Sequence, residues 1–367
     1  MPIGMTNVGN TCYLNTFLQC LCSLTSVRSF LMNHNVFKVA PSREALVEMC
    51  PVTRITYKLI GLLDTKTEVG GGGGGGVVRS ELIQKYIKQL SKHTPDYMSL
   101  HYGQQHDIGE LWCWWMERIH DEFQKIAGVA GARTGAGADA WVSSHPFHQM
   151  CYTQWKQFHK KVTSFDWIWL YEGLLVHQVQ CMKCRKCYHN PEPVSCLALD
   201  IPEPNPSGSS EVTLSDCFRQ YFSTETLKEW TCDDCNQKTP AEKLVRFWKA
   251  ADVLVIVLKR FVYNETRAYK NKTVVDFPMD FHFLEDTELH PKRVGAAGAA
   301  GAAAPNSYRL VAIANHYGGL SGGHYNATVF REGGWWHIDD DEVKPLDSTT
   351  PWWKHNNTAY ILFYEKG

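Results

Sequence analysis

Up to about residue 165 the apolar side chains recur at helical spacing, and from about residue 170 they alternate or run together in short stretches. In NVGNTCYLNTFLQCL, Leu14, Phe17, Leu18 and Leu21 stand at i, i+3, i+4 and i+7, which predicts an amphipathic helix starting near Cys12. ELIQKYIKQL after Ser80 predicts a second helix, with Leu82, Ile83, Ile87 and Leu90 on one face, and HDIGELWCWWMERIHDEF a third from near Asp107. GLLVHQVQC, EKLVRFWKA, DVLVIVLKRF, YRLVAIANHY, HYNATVF, WWHID and AYILFYE then follow as β-branched and aromatic runs of strand length. Helices first and strands second argue for an α+β fold. The glycine run at 70–76 and GAAGAAGAAA at 295–304 read as linkers, and GVAGARTGAGAD from Gly128 as a surface loop.

Composition narrows the function classes. The formal charge of −1 offers no electrostatic footprint for nucleic acid or a membrane surface. No apolar run reaches the ~18 residues of a membrane span. Met1-Pro2-Ile3-Gly4 has no basic segment leading into an apolar one, so no secretory signal is expected. The 13 cysteines are an odd number with several in C-x-x-C pairs, which points to metal or catalysis rather than disulfides. A monomeric cytoplasmic or nuclear protein is the expectation.

Cys181 with Cys184 and Cys232 with Cys235 form two separated C-x-x-C pairs, the ligand set of a structural tetrahedral Zn2+ site. CMKCRKC holds overlapping pairs, so Cys187 competes with Cys181. Cys181 is favoured because it ends the strand-like run. Such a site alone names no function.

A catalytic thiol is favoured as thiolate at a helix N-terminus and beside an imidazole, which together bring its pKa from about 8.5 towards ~3.5–7.5. Cys12 meets the first condition, with Asn10 and Thr11 as candidate caps. Cys20 and Cys22 lie too far along and read as packing residues. Among the histidines, His324 stands out behind the glycines of GLSGGHYNATVF, at the start of a strand. A hairpin turn after Glu332-Gly333-Gly334 brings Asp339 roughly opposite His324, although three consecutive acids leave the orienting carboxylate open.

GMTNVGNTCYLNTFLQCL resembles the Cys box of the ubiquitin-specific proteases, the papain-like deubiquitinases. GGHYNATVFREGGWWHIDDDEV resembles their His box, and YGQQHDIGEL their Gln-Gln-Asp box in a Gln-His-Asp variant. YEGLLVHQVQCMKC, DVLVIVLKRFVYN and AYILFYEK match further segments in the family's order. The resemblance implies a papain-like fold in one catalytic domain: a helical thumb over about 1–165, zinc-ribbon fingers over about 166–250, and a palm over about 251–367. It implies Cys12 as nucleophile, His324 as base, Asp339 as third triad member and Asn7 as oxyanion donor, with Asp340 in a supporting role. Asp107 and Glu110 match acidic positions that meet the basic Leu-Arg-Gly-Gly tail of ubiquitin, on one helix face by their spacing. Tyr325 lines the glycine tunnel or belongs to the palm core. The implied activity is hydrolysis after the C-terminal glycine of ubiquitin through a thioester. An inactive ubiquitin-binding homologue, or a protease for a ubiquitin-like modifier with the same tail, is the alternative. Gly109, inside the third helix at about 1 kcal/mol against Ala, and the many tryptophans of that helix depart from the family pattern.

Overall fold

The computed structural model describes residues 1–32, 48–64, 76–94, 103–130, 146–158, 167–204, 211–263, 267–282, 307–320, 322–347, 349, 351–354 and 356–367, and every structural statement below concerns these. The 295–304 linker, nearly all of 70–76 and the loop beyond Ala130 lie outside them; residues 128–130, expected in that loop, close the third helix instead.

The α+β expectation holds. Helices Cys12–Ser23, Thr25–Met32, Pro51–Asp64, Ser80–Leu90 and Ile108–Ala130 build one lobe. An eight-stranded sheet follows, its main path running Glu342–Pro345, Gly334–Asp339, Gly323–Arg331, Ser307–Gly318, Ala359–Lys366, Val253–Leu258 and Leu197–Leu199. A four-stranded antiparallel sheet runs Cys187–Val194, Gly173–Cys181, Gln237–Lys249 and Glu225–Cys232.

The central strands of the large sheet are buried on both faces, which is why DVLVIVL and AYILFY are nearly unbroken apolar runs. Val253, Val255, Ile361 and Phe363 face the helical lobe, while Leu254, Ile256, Leu362 and Tyr364 enter a second core with Leu197, Leu199 and Phe218. Leu197–Leu199 pairs parallel with Val253–Leu258, so a segment from the middle of the expected finger region belongs to the large sheet. The Leu214–Tyr221 helix also interrupts the strand-rich half, nucleated by a capping box between Thr213 and Asp216.

The first helix buries its polar face as well as its apolar one. All of Cys12–Ser23 is buried, because the helix lies between the helical lobe and strands Ser307–Gly318 and Gly323–Arg331. Gln19 ties the helix across the lobe–sheet boundary. Gln19 Nε2 donates to the Ile3 carbonyl at 2.7 Å, and Arg331 Nη1 donates to Gln19 Oε1 at 3.2 Å. Arg331 also donates to the Leu63 carbonyl and to Asp64 at 3.1 and 3.2 Å. A buried polar group left unpaired costs about 1–3 kcal/mol, so these contacts fix how the helix sits on the sheet.

Candidate active site

Cys12 is the first residue of its helix and only 3% exposed. Thr11 occupies the N-cap position but makes no side-chain cap. Its hydroxyl instead accepts from Val8 N–H and donates to Asn7 Oδ1, while Asn10, at φ 53°, donates to the Gly103 carbonyl. The caps expected from sequence are thus spent on folding the loop. The thiol also departs from expectation: burial pushes it above its usual range and Asp340 adds to the rise, against the Tyr325 N–H and the first amides of the helix. Desolvation outweighs the helix terminus here.

His324 is the second residue of the strand Gly323–Arg331. A two-residue turn at Glu332 and Gly333, both left-handed, reverses the chain into Gly334–Asp339. The hairpin expected from sequence forms, with Ala327 opposite Ile338 and the ladder ending there. Asp339 therefore lies nearest Asn326 and reaches His324 past the end of the ladder, with Oδ1 at 2.5 Å from His324 Nε2. Asn326 Nδ2 donates to the other oxygen of Asp339 at 3.4 Å, a support that sequence reading missed. With Nε2 on Asp339, Nδ1 is the nitrogen left for a reacting proton.

Asp340 opens the next turn, at φ 51°, a region costly for a side chain with a Cβ. Its two carboxylate oxygens accept from Asn7 Nδ2 at 2.9 Å and Asn15 Nδ2 at 2.8 Å, and its carbonyl accepts from Met5 N–H at 2.8 Å. Burial raises its pKa; the two amides and His324 oppose. Gly4 is required beneath this turn, since a Cβ there would stand 2.6 Å from the Asp341 carbonyl. Asp340 is thus the join between the Cys12 loop and the His324 hairpin. Asn7 keeps a second N–H beyond the one given to Asp340.

Far from this site, Cys181, Cys184, Cys232 and Cys235 bring their sulfurs within 4.8 Å of one another. Each pair sits in the turn of a hairpin of the four-stranded sheet, followed by a left-handed residue, Arg185 or Asn236. Sulfur separations of 3.9 Å for Cys181–Cys235 and 3.7 Å for Cys184–Cys232 match the ~3.8 Å edge of a tetrahedron with ~2.3 Å metal–sulfur bonds. Cys187, the competitor, is outside the cluster and meets the Gln178 amide.

The family model described as ubiquitin carboxyl-terminal hydrolase matches residues 3–364. The chain belongs to that family. Ubiquitin carboxyl-terminal hydrolase 21 of Mus musculus is 28% identical over 99% of this chain and 61% of its own length. Ubiquitin carboxyl-terminal hydrolase 4 of Saccharomyces cerevisiae is 23% identical over 99% of this chain and 39% of its own. The chain thus spans roughly two fifths to three fifths of these curated relatives. The structure of the SAGA Ubp8/Sgf11/Sus1/Sgf73 DUB module bound to ubiquitin aldehyde superposes with a TM-score of 0.68 at 20% identity, covering 99% of this chain and 69% of that one. It shares the fold.

Within this hydrolase-family chain, the acidic pair expected on one helix face is arranged differently. Asp107 precedes the Ile108–Ala130 helix as its N-cap, accepting from Gly109 and Glu110 N–H at 2.8 and 3.1 Å. The same carboxylate accepts from Tyr360 Oη at 2.7 Å and Tyr325 Oη at 3.5 Å. Capping geometry turns it inward, so Glu110 alone is the exposed carboxylate of the first turn. Tyr325 is 7% exposed and packs with His316 and Tyr360, which places its ring in the core of the large sheet rather than in an open tunnel. Gly109 now has a reason: a Cβ would crowd Asp107 Oδ1 at 3.0 Å.

Gln105 is a second residue that sequence reading did not single out. Its amide clamps Gly323 from both sides, Nε2 donating to the carbonyl at 2.9 Å and Oε1 accepting from N–H at 3.3 Å. Gly323 has no room for a side chain, because a Cβ would collide with the Tyr317 carbonyl and His316 Nε2. Burial, with Lys270 and His324 adding, pushes His316 down to about 4, so this ring is neutral; Lys270 Nζ stands 2.8 Å from its Nδ1. Gly323→Ala therefore displaces His324. We expect hydrolysis of a fluorogenic ubiquitin C-terminal amide to fall ~10²-fold, whereas Gly61→Ala, with nothing within 4 Å of the added Cβ, leaves the rate unchanged. Equal rates for the two variants would remove Gly323 from the positioning of His324.

Proposed function

We propose that this chain is a thiol-dependent deubiquitinase, hydrolysing isopeptide or peptide bonds after the C-terminal glycine of ubiquitin. The observation that carries this reading is the seat of Cys12. Its sulfur lies at a helix N-terminus against the backbone N–H of Tyr325, immediately after a histidine already oriented by Asp339. Family membership and the ubiquitin-bound state of the structural neighbour support the substrate class.

In the described state Cys12 and His324 share no hydrogen bond, and burial favours the thiol. Catalysis thus begins when His324 closes on Cys12 and takes its proton at Nδ1, the imidazolium being stabilised by Asp339. The thiolate attacks the glycine carbonyl. The free N–H of Asn7 and the amides at the start of the Cys12–Ser23 helix are the donors for the oxyanion, a contribution of ~2.7–4 kcal/mol per donor in such sites. His324 returns the proton to the leaving amine, then activates water to open the thioester. Glu110, with Asp107 behind it, supplies negative charge for the arginine of the ubiquitin tail.

Cys181, Cys184, Cys232 and Cys235 would hold a Zn2+ ion, which supplies structure rather than chemistry. The sheet that bears them has few buried side chains near its tip, so the ion stands in for a core. Tyr188 Oη and Thr239 Oγ1 lie 3.4 and 3.2 Å from the Cys232 and Cys181 sulfurs, as outer supports.

The test is a ubiquitin carrying a C-terminal electrophile. Wild-type protein gains one ubiquitin mass, Cys12→Ala gains none, and His324→Ala reacts at least ~10²-fold more slowly. A folded wild-type sample that stays unlabelled, or that labels only with a ubiquitin-like modifier, contradicts the reading. For the metal, mass spectrometry of the purified chain is expected to find one zinc per molecule, and Cys184→Ala to lose it along with protease resistance of residues 173–249. Retention of zinc in that variant would overturn the ligand assignment.

A further inference from the structure

Thirteen cysteines are present, and outside the two C-x-x-C hairpins only Cys113 and Cys196 escape full burial. Cys113 lies in the Ile108–Ala130 helix of the helical lobe. Cys196 lies between strands Cys187–Val194 and Leu197–Leu199, where the chain passes from the small sheet to the large one. Their sulfurs are 3.5 Å apart, across 83 positions of sequence. Trp112 Nε1 donates to the Ser195 carbonyl at 3.2 Å, which pins the backbone beside Cys196 to the turn that carries Cys113. Sulfurs in van der Waals contact on two anchored elements need a movement of only ~1.5 Å to reach the ~2.05 Å of a disulfide.

We propose that Cys113 and Cys196 form an oxidant-driven disulfide that staples the long helix to the junction of the two sheets. The pair is chemically asymmetric. Hydrogen bonding from Cys196, aided by Ser195, brings Cys113 down to about 7, while the same contact and burial push Cys196 up. Either sulfur can attack first and both orders end in the same disulfide; a hydrogen bond from Cys196 favours Cys113 as the thiolate. With a hydroperoxide as oxidant, the Cys113 sulfur attacks one peroxide oxygen. The S–O bond forms, the O–O bond breaks, and the departing hydroxide or alkoxide takes a proton. Cys196, losing its proton to the sulfenic oxygen, then attacks the Cys113 sulfur; the S–S bond forms and water leaves. The two thiols have given two electrons to the peroxide, and an external dithiol reverses the change. The site is separate from Cys12, whose thiol is buried and raised.

The whole 367-residue chain is treated with dilute hydrogen peroxide, its remaining thiols are alkylated, and peptides are mapped by mass. A peptide pair joined through Cys113 and Cys196, two hydrogens lighter than its parts, is expected. It is lost in Cys113→Ser and in Cys196→Ser and is reversed by dithiothreitol. Closing so long a loop also raises the melting midpoint of the oxidised wild type but of neither variant. Recovery of Cys113 and Cys196 from folded, oxidised wild type as separate alkylated or sulfinic peptides would overturn the proposal. Because the readout is a mass and a melting point, it does not depend on deubiquitinase activity.

Discussion

The site depends on one strained turn. Asp340 adopts a left-handed backbone that costs a residue with a Cβ about 1–2 kcal/mol, and it is held there by Asn7, Asn15 and Met5 N–H. Those three partners come from the segment that leads into and through the first turns of the Cys12 helix. The turn itself continues from the strand that ends in Asp339. Cys12 and His324 are 312 positions apart in sequence, and this small polar knot joins the elements that carry them. The same economy recurs at Asp107, whose carboxylate caps one helix and receives two tyrosines of the large sheet.

Polar groups do this work because the surroundings are dry. Every side chain of the first helix is buried, and an unpaired donor there is costly, so Asn15 and Gln19 act as registration pins. The same dryness raises the Cys12 thiol. A buried thiol needs its base to approach before it becomes reactive, which fits a site where His324 is already oriented by Asp339 but not yet bonded to Cys12.

Much of this was legible in the chain. Periodicity gave the helical lobe and the strand-rich remainder, and C-x-x-C spacing gave the four clustered thiols. Glu332-Gly333 marked the turn that returns Asp339 towards His324. What could not be read were properties of three-dimensional pairing. The i, i+3, i+4 pattern of the first helix looked one-sided because its polar face meets polar partners rather than water. Asp107 and Glu110 looked equivalent because spacing does not distinguish an N-cap from a first-turn residue. Gln105 and Asn326 act on groups remote in sequence or on the far side of a strand end, and nothing local marks them. Thr213 and Asp216 did carry a capping-box signal for the Leu214–Tyr221 helix, inside a region otherwise of strand type.

The central claim is that Asp340 positions the reacting pair by acting through the Cys12 helix. A double-mutant cycle on the rate of ubiquitin-electrophile labelling, with Asn15→Ala, Asp340→Ala and the pair combined, tests it most directly. The account predicts strong coupling: the double variant labels within about twofold of the slower single variant, because both changes break one joint. Losses that multiply instead would mean that Asn15 and Asp340 act separately, and the joint between the two halves of the site would have to be sought elsewhere.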